Sequence, residues 1–363
     1  MVSHPCAMPS DDHGEGIRWS RYDGGMGRTG TQFRELLKDM SVDKREAAIR
    51  QALADGEVPD WLTSWQPVTV QAMVNGKLRE LVYWVSPDVL AIGTNDDFMR
   101  VRPWPATFQW YADKSDLVMP TTRMIDQIFA QAAYKFSPEL VHPHSVSTES
   151  WNKSDAQIAA QGAKLGYMPG TGLAAGMMKD VVNGPGLDGS RVAIYGWHDP
   201  TNRSGIGRSP IQSYSTVHDS KFSDYSHGAR LVKRQATLDG AEIDLGKLQK
   251  DPELYPLVQK MIGEAGAVQG EGGPLTNDKF PTSSTNSPPT MLMSVFATSD
   301  DEGPPTGLAP LVAPSAPPSK LGDAPVPAAK LPATGWWRWG LGAAVVVGVG
   351  VGVNKMVKAR RAA

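Results

Sequence analysis

Apolar residues recur at helical spacing near the start of the chain. Phe33, Leu36, Leu37 and Met40 fall at i, i+3, i+4 and i+7, which predicts an amphipathic helix over residues 32–40. Ser41 stands where it can cap a second helix over 43–54, with Gly56 placed to end it. The period then switches from 3.6 to 2. PVTVQAMVNGKLRELVYWVSP sets two alternating runs around Asn75-Gly76, the strongest short-range hairpin signal. A third apolar run at 89–92 predicts another strand, and the doublet Asp96-Asp97 after it reads as a turn former or helix cap. Residues 103–112 and 121–134 return to the helical period, the latter burying Met124, Ile125, Ile128 and Phe129. A polar loop at 141–154 leads to a helix at 156–164. Strand patterns follow at 177–182, 191–197, 211–217 and 229–232, separated by Gly/Ser/Asn-rich loops, and a last helix is expected at 252–262. The pattern predicts an α+β fold: an antiparallel sheet with flanking helices.

Beyond this head the chain changes character. Of the 73 residues from 263 to 335, 22 are Gly or Pro. Such a stretch has too few bulky apolar groups to offset the entropy of ordering, and predicts a disordered, semi-extended Pro/Gly-rich stalk. WWRWGLGAAVVVGVGVGV follows, from Trp336 to Val353. As a helix it would be about 27 Å long, close to the hydrocarbon thickness of a bilayer. Trp336, Trp337 and Trp339 sit at one end, and Lys355, Lys358, Arg360 and Arg361 follow the other. Both features suit membrane interfaces, so one transmembrane helix with a lipid bilayer as partner is predicted, the basic end cytoplasmic. The domain reading is a disordered tail over 1–30, a helical and β-hairpin subdomain over 31–140, a β-rich subdomain with a polar site over 141–263, a linker over 264–335, the span over 336–353 and a basic tail over 354–363. The first twenty residues contain no apolar run of the signal-peptide kind, so the side on which the head lies stays open.

Charge and cysteine content narrow the function classes. Lys and Arg number 36 against 38 Asp and Glu, giving a net charge of −2, which offers no global field for nucleic acid. Cys6 is the one cysteine, so neither an intrachain disulfide nor a Cys-rich zinc site is available.

Three of the seven histidines fall within thirty residues: His198 at the end of RVAIYGWH, His218 in STVHDS and His227 in SDYSHGAR. Asp199, Asp219, Asp224, Tyr225, Ser226 and Arg230 accompany them, with Lys179-Asp180 on a neighbouring strand. An imidazole oriented by a carboxylate can serve as a general base. The candidate catalytic set is therefore His218, His227, Asp224, Ser226 and His198, with Lys179, Asp180, Tyr225 and Arg230 as candidate substrate-binding residues. Ser226 and His227 are neighbours on a strand and point to opposite faces, so Ser226 would need His218 or His198 as its base. His198, His218 and His227 with Asp224 match zinc's donor types, but their spacing forms no recognised metal motif, and no cofactor is assigned. The bland alternative also stands, in which this loop caps a sheet edge and its polar groups satisfy backbone.

Three resemblances attach to these motifs. LPATG from Leu331 to Gly335, followed by an apolar span and a basic tail, resembles the cell-wall sorting signal of Gram-positive surface proteins, which implies a sortase as partner. The set VSPDVLAIGTNDDFMRV, MPTTRMIDQIF, LAAGMMKDVV, RVAIYGWH, SPIQSYSTVH and SDYSHGARLV resembles a bacterial family of uncharacterised, mostly secreted proteins. More distantly, KDVV followed by RVAIYGW is similar to a strand pair of papain-like cell-wall endopeptidases. Arg191 stands where that pair opens on His, and no cysteine lies nearby, so thiol catalysis would be lost or replaced. Two function classes remain open: a membrane-anchored surface hydrolase of cell-wall or other extracellular polymer, and a non-catalytic binding or structural protein of a cell or virion surface.

Overall fold

The computed structural model describes residues 27–281 apart from 143–144 and 201–209; the expected N-terminal tail, most of the linker, the span and the basic tail lie outside them. Helix α1 (Gly30–Leu37) opens on a capping box in which Thr29 Oγ1 accepts from Gln32 N at 3.2 Å and Gln32 Oε1 accepts from Thr29 N at 2.9 Å. Ser41 caps α2 (Val42–Ala54), as its position predicts. Strands β1 (Gln66–Val74) and β2 (Lys77–Val89) pair antiparallel from Val74↔Lys77 to Gln66↔Val85. Asn75 and Gly76 between them have φ of 49° and 75°, the left-handed pair that a two-residue hairpin turn requires. In the next hairpin, β3 (Ala91–Gly93) with β4 (Phe98–Arg100), the loop residue Asp97 accepts from Thr31 N at 3.0 and 3.1 Å and so caps α1.

The chain continues through α3 (Pro105–Lys114), β5 (Leu117–Val118), α4 (Thr122–Gln131), β6 (Tyr134–Lys135) and α5 (Thr148–Leu165). Helix α5 begins inside the stretch expected as loop, because Ser147 supplies a cap and Trp151 a buried anchor that the polar composition of 145–155 conceals. Then come β7 (Ala174–Ala175), β8 (Lys179–Val181), β9 (Ile194–Gly196), β10 (Gln212–Ser215), β11 (His227–Gly228), β12 (Arg230–Lys233), β13 (Gln235–Leu238), β14 (Ala241–Asp244) and α6 (Leu245–Lys250).

The larger sheet runs β14-β13-β2-β12-β5, with β1 added on β2, and all its pairs are antiparallel. A second sheet runs β10-β9-β8-β11, antiparallel except for β8 with β11. The fold is α+β, with antiparallel sheets and flanking helices. Because β2 lies between β12 and β13, the boundary expected at 140/141 falls within a shared sheet.

Two expectations at the C-terminal side are corrected. The helix expected over 252–262 is reduced to a single 3₁₀ turn at Tyr255–Leu257. Pro256 brings no N–H, and Asp251 Oδ1 instead holds Glu253 N at 2.8 Å and Leu254 N at 3.0 Å in a side-chain turn. The linker, read from composition as starting at 264, is packed at least to residue 281: Glu271, Leu275 and Phe280 are buried, and Asp278 pairs with Lys250 at 2.9 Å and Arg234 at 3.0 Å. Sparse anchors in a Gly/Pro-rich segment are enough when each one finds a prepared partner.

The second sheet separates two apolar clusters. Val181, Ile194 and Trp197 join Phe33, Ile49, Phe108 and Trp151 in one; Val182, Ala193 and Tyr195 join Tyr83, Met124, Ile128 and Val258 in the other. Beside them lies a buried ionic network. Asp88 accepts from Arg100 Nη2 at 2.7 Å, Arg100 Nε at 3.2 Å, Tyr167 Oη at 3.0 Å and its neighbour Val89 N at 2.7 Å. Asp155 accepts from Arg102 Nη2 at 3.1 Å and Arg100 N at 3.1 Å. Burial pushes the Asp88 carboxyl up, but Arg100, Arg230 and the Val89 amide together outweigh it and the net shift is downward.

Candidate functional site

Successive strand residues face opposite ways, and on β8 this divides the expected polar constellation into two groups. Lys179 turns to one face and Asp180 to the other.

On the Asp180 side, His198 lies two residues past the end of β9, and its Nε2 is 2.8 Å from Asp126 Oδ1 on α4. Tyr195 Oη donates to the same oxygen at 2.8 Å, Lys260 Nζ donates to Tyr195 Oη at 3.1 Å, and Lys260 lies 2.8 Å from Glu271. Phe129, one turn along α4 from Asp126, stacks on the His198 ring with centroids 4.5 Å apart. Asp180 is buried with Oδ1 unpartnered, and burial pushes its carboxyl up to about 6, against the pull of Arg230 and His198. Gly196 makes room for this group. A Cβ there would lie 3.7 Å from both His198 Nδ1 and Asp180 Oδ2, so the two atoms are at most about twice that apart.

The Asp126 contact at Nε2 selects one tautomer of the neutral imidazole, the one with the proton on Nε2 and the lone pair on Nδ1. His198 is therefore an oriented base, and Asp180 a carboxyl that stays protonated to higher pH than usual. The Asp180 shift has a consequence for stability. Its folded value is above the unfolded one, so the native state is penalised as pH rises through the interval from about 4 to about 6. Asp180→Asn, which removes the charge and keeps the shape, is expected to be more stable than the parent by about 3 kcal/mol at pH 8, the gap closing by about pH 4. Urea unfolding of both proteins across that range checks it, and a gap independent of pH would refute it.

On the Lys179 side the expected triad is not assembled. Ser226 Oγ donates to Asp224 Oδ1 at 2.6 Å, and Ser226 N donates to the same oxygen at 2.8 Å. The hydroxyl is thus tied to a carboxylate in a local turn, and neither His218 nor His198 is its partner. His227 is 1% exposed, its Nε2 is 3.8 Å from Asp224 Oδ1, beyond hydrogen-bond reach, and neither ring nitrogen has a partner. Burial pushes its imidazole down to about 4, so it is neutral at pH 7. His218 is exposed and stacks on Phe222 with centroids 4.0 Å apart, and Phe222 meets His227 edge-on at 5.8 Å. Lys179 Nζ lies over the Trp197 ring at 5.0 Å, and burial lowers its pKa.

Two of the expected binding residues serve the fold. Arg230 is buried and donates to Ser86 O at 2.9 Å and Ala174 O at 2.8 Å, tying β12 to its neighbours. Tyr225 is buried in the first cluster, where its carbonyl accepts from Arg102 Nε at 3.2 Å. Asp126, Tyr195, Lys260 and Glu271 were missed from sequence. Asp126 had a faint signal, as an acidic residue next to Ile125 on a helix with an apolar face; the other three had none.

Among the described residues, no group of three or more His, Cys, Asp or Glu is placed to hold a metal ion, and no helix is long and apolar enough to cross a membrane. A separate groove of about 380 Å³ between Trp65, Asp116, Lys233 and Gln235 contains no histidine. No family model matches the chain, and neither a curated protein nor a solved structure matches it.

Proposed function

We propose that the protein is a membrane-anchored surface hydrolase acting on an extracellular polymer such as cell wall, with His198 as the general base. The observation that carries this reading is the 2.8 Å bond from His198 Nε2 to Asp126, which leaves Nδ1 as the nitrogen that takes a proton from an attacking water. Asp180, across Gly196, is the acid that protonates the leaving group, and the raised pKa supports that role. In this scheme water replaces the thiol of the papain-like endopeptidases that the KDVV and RVAIYGW strands resemble. Membership of the secreted family suggested by the same motifs belongs to this proposal too. The span over 336–353 anchors the head, and the LPATG at 331–335 offers a sortase site; both lie outside the described residues.

Full-length protein is assayed on purified sacculi and muropeptides. Asp126→Asn, which turns the imidazole to the wrong tautomer, and His198→Asn are each expected to lower kcat at least about 100-fold while leaving the unfolding midpoint within a few degrees. The rate should also decline above pH 6 as Asp180 ionises. A parent that binds polymer but releases no product would move the protein to the non-catalytic class. Turnover unchanged in both variants would remove His198 from the chemistry.

A further inference from the structure

The opposite face of β8 carries a different set of groups. In the parallel pair of β8 and β11, His227 is the register partner of Lys179, so the two side chains stand side by side. His227 is almost fully enclosed, yet both ring nitrogens lack partners; Trp197, 5% exposed, has an unpartnered Nε1 as well. Buried polar atoms are nearly always paired, because leaving them unpaired costs stability, and here three orphaned atoms belong to two residues grouped around Lys179. Trp197 is also held at φ 56°, a conformation that bulky residues rarely adopt. The exposed His218, the half-buried Phe222 and the buried His227 form a run of packed rings from the surface to the His227 imidazole.

We propose that the Lys179 face of β8 is a binding site for a neutral saccharide, whose hydroxyls complete the hydrogen bonds of His227 and Trp197. The donor and acceptor balance selects this class. A neutral imidazole presents one N–H and one lone pair, and a hydroxyl can match either, whereas an ionised carboxylate offers no donor. The Asp224 carboxylate beside His227 repels an anion, and the Lys179 ammonium repels a cation. Phe222 and His218 provide ring surface for the C–H faces of a sugar. The site stands on the other side of the strand from the Asp126–His198 pair and does not depend on that pair being catalytic.

The test titrates the full-length protein with cellotetraose, with the N-acetylglucosamine tetramer, with tetra-alanine and with inorganic phosphate, reading the His227 ring nitrogens by 15N NMR and affinity by calorimetry. Either saccharide is expected to shift both ring nitrogens and the Trp197 indole signal. Trp197→Phe, which keeps a ring and removes the N–H, and Lys179→Met are each expected to weaken binding about tenfold or more. His198→Asn should leave saccharide affinity unchanged even where it abolishes hydrolysis, which separates this site from the catalytic proposal. Ring shifts produced by phosphate or by the peptide instead of sugar would overturn the assignment. So would saccharides that leave the ring nitrogens unmoved, since the orphaned atoms would then be met by trapped water alone.

Discussion

Asp88→Ala is expected to lower the unfolding free energy by about 3–5 kcal/mol, the range for stripping one partner from a buried ion pair. The Asp88 side chain is wholly enclosed, and its two oxygens gather the Arg100 guanidinium, the Tyr167 hydroxyl and the Val89 amide. Without them Arg100, itself 5% exposed at the side chain, keeps its charge in a site that water does not reach. The loss should come from the stranded charge rather than from the cavity. Asp88→Leu combined with Arg100→Met tests that distinction: the double variant should recover much of the stability, because an apolar pair replaces an ionic one without leaving a charge behind. Chemical denaturation of the parent, both single variants and the pair gives the coupling. If the double variant is simply the sum of its parts, the electrostatic account fails.

Gly93→Ala should be comparably severe, with a loss of about 3 kcal/mol or more. Gly93 sits at φ 130°, and a Cβ there would lie 2.7 Å from Phe98 Cα and 2.8 Å from Gly30 N, with the Asp97 carbonyl nearer still. These are backbone atoms, so no side-chain rotation relieves them. Gly30 in turn is pressed against the backbone of Phe98, its own would-be Cβ 2.7 Å from Phe98 N. The junction thus seats the first turn of α1 directly on the β3–β4 hairpin. Gly56 supplies the comparison: its φ is 73°, but nothing lies within 4 Å of an added Cβ. Gly56→Ala should therefore cost only the conformational part, about 1–2 kcal/mol. Thermal melts of the two variants separate strain from collision, and equal losses would contradict the crowding argument.

How much of this was legible in the sequence depended on whether local chemistry settled the outcome. Asn75-Gly76, Ser41 and the apolar positions of α4 each act on their immediate neighbours, and the structure follows them. The packing of 264–281 could not be read locally, since Leu275 and Phe280 are held by Gln249 and Gln109, residues far off in the chain. The candidate site was only partly legible, for a sharper reason. Strand alternation sends Tyr195 and His198 to opposite faces, yet both meet Asp126. Positive φ at Gly196 and at Trp197 breaks the alternation between them, and only the glycine hints at it. His198 was found as a residue type at a strand end, but its orienting carboxylate came from a helix 72 positions earlier.

The division at Lys179 and Asp180 bears on how the gene can vary. Strand β8 is three residues long, and its registers with β9 and β11 are each fixed by a few pairs. Losing one codon just upstream would, if the pairing registers held, present Asp180 beside His227 and carry Lys179 out of the strand, displacing the carboxyl of one face and the cation of the other in a single event. Length changes should therefore be absent from the 176–181 segment of functional relatives.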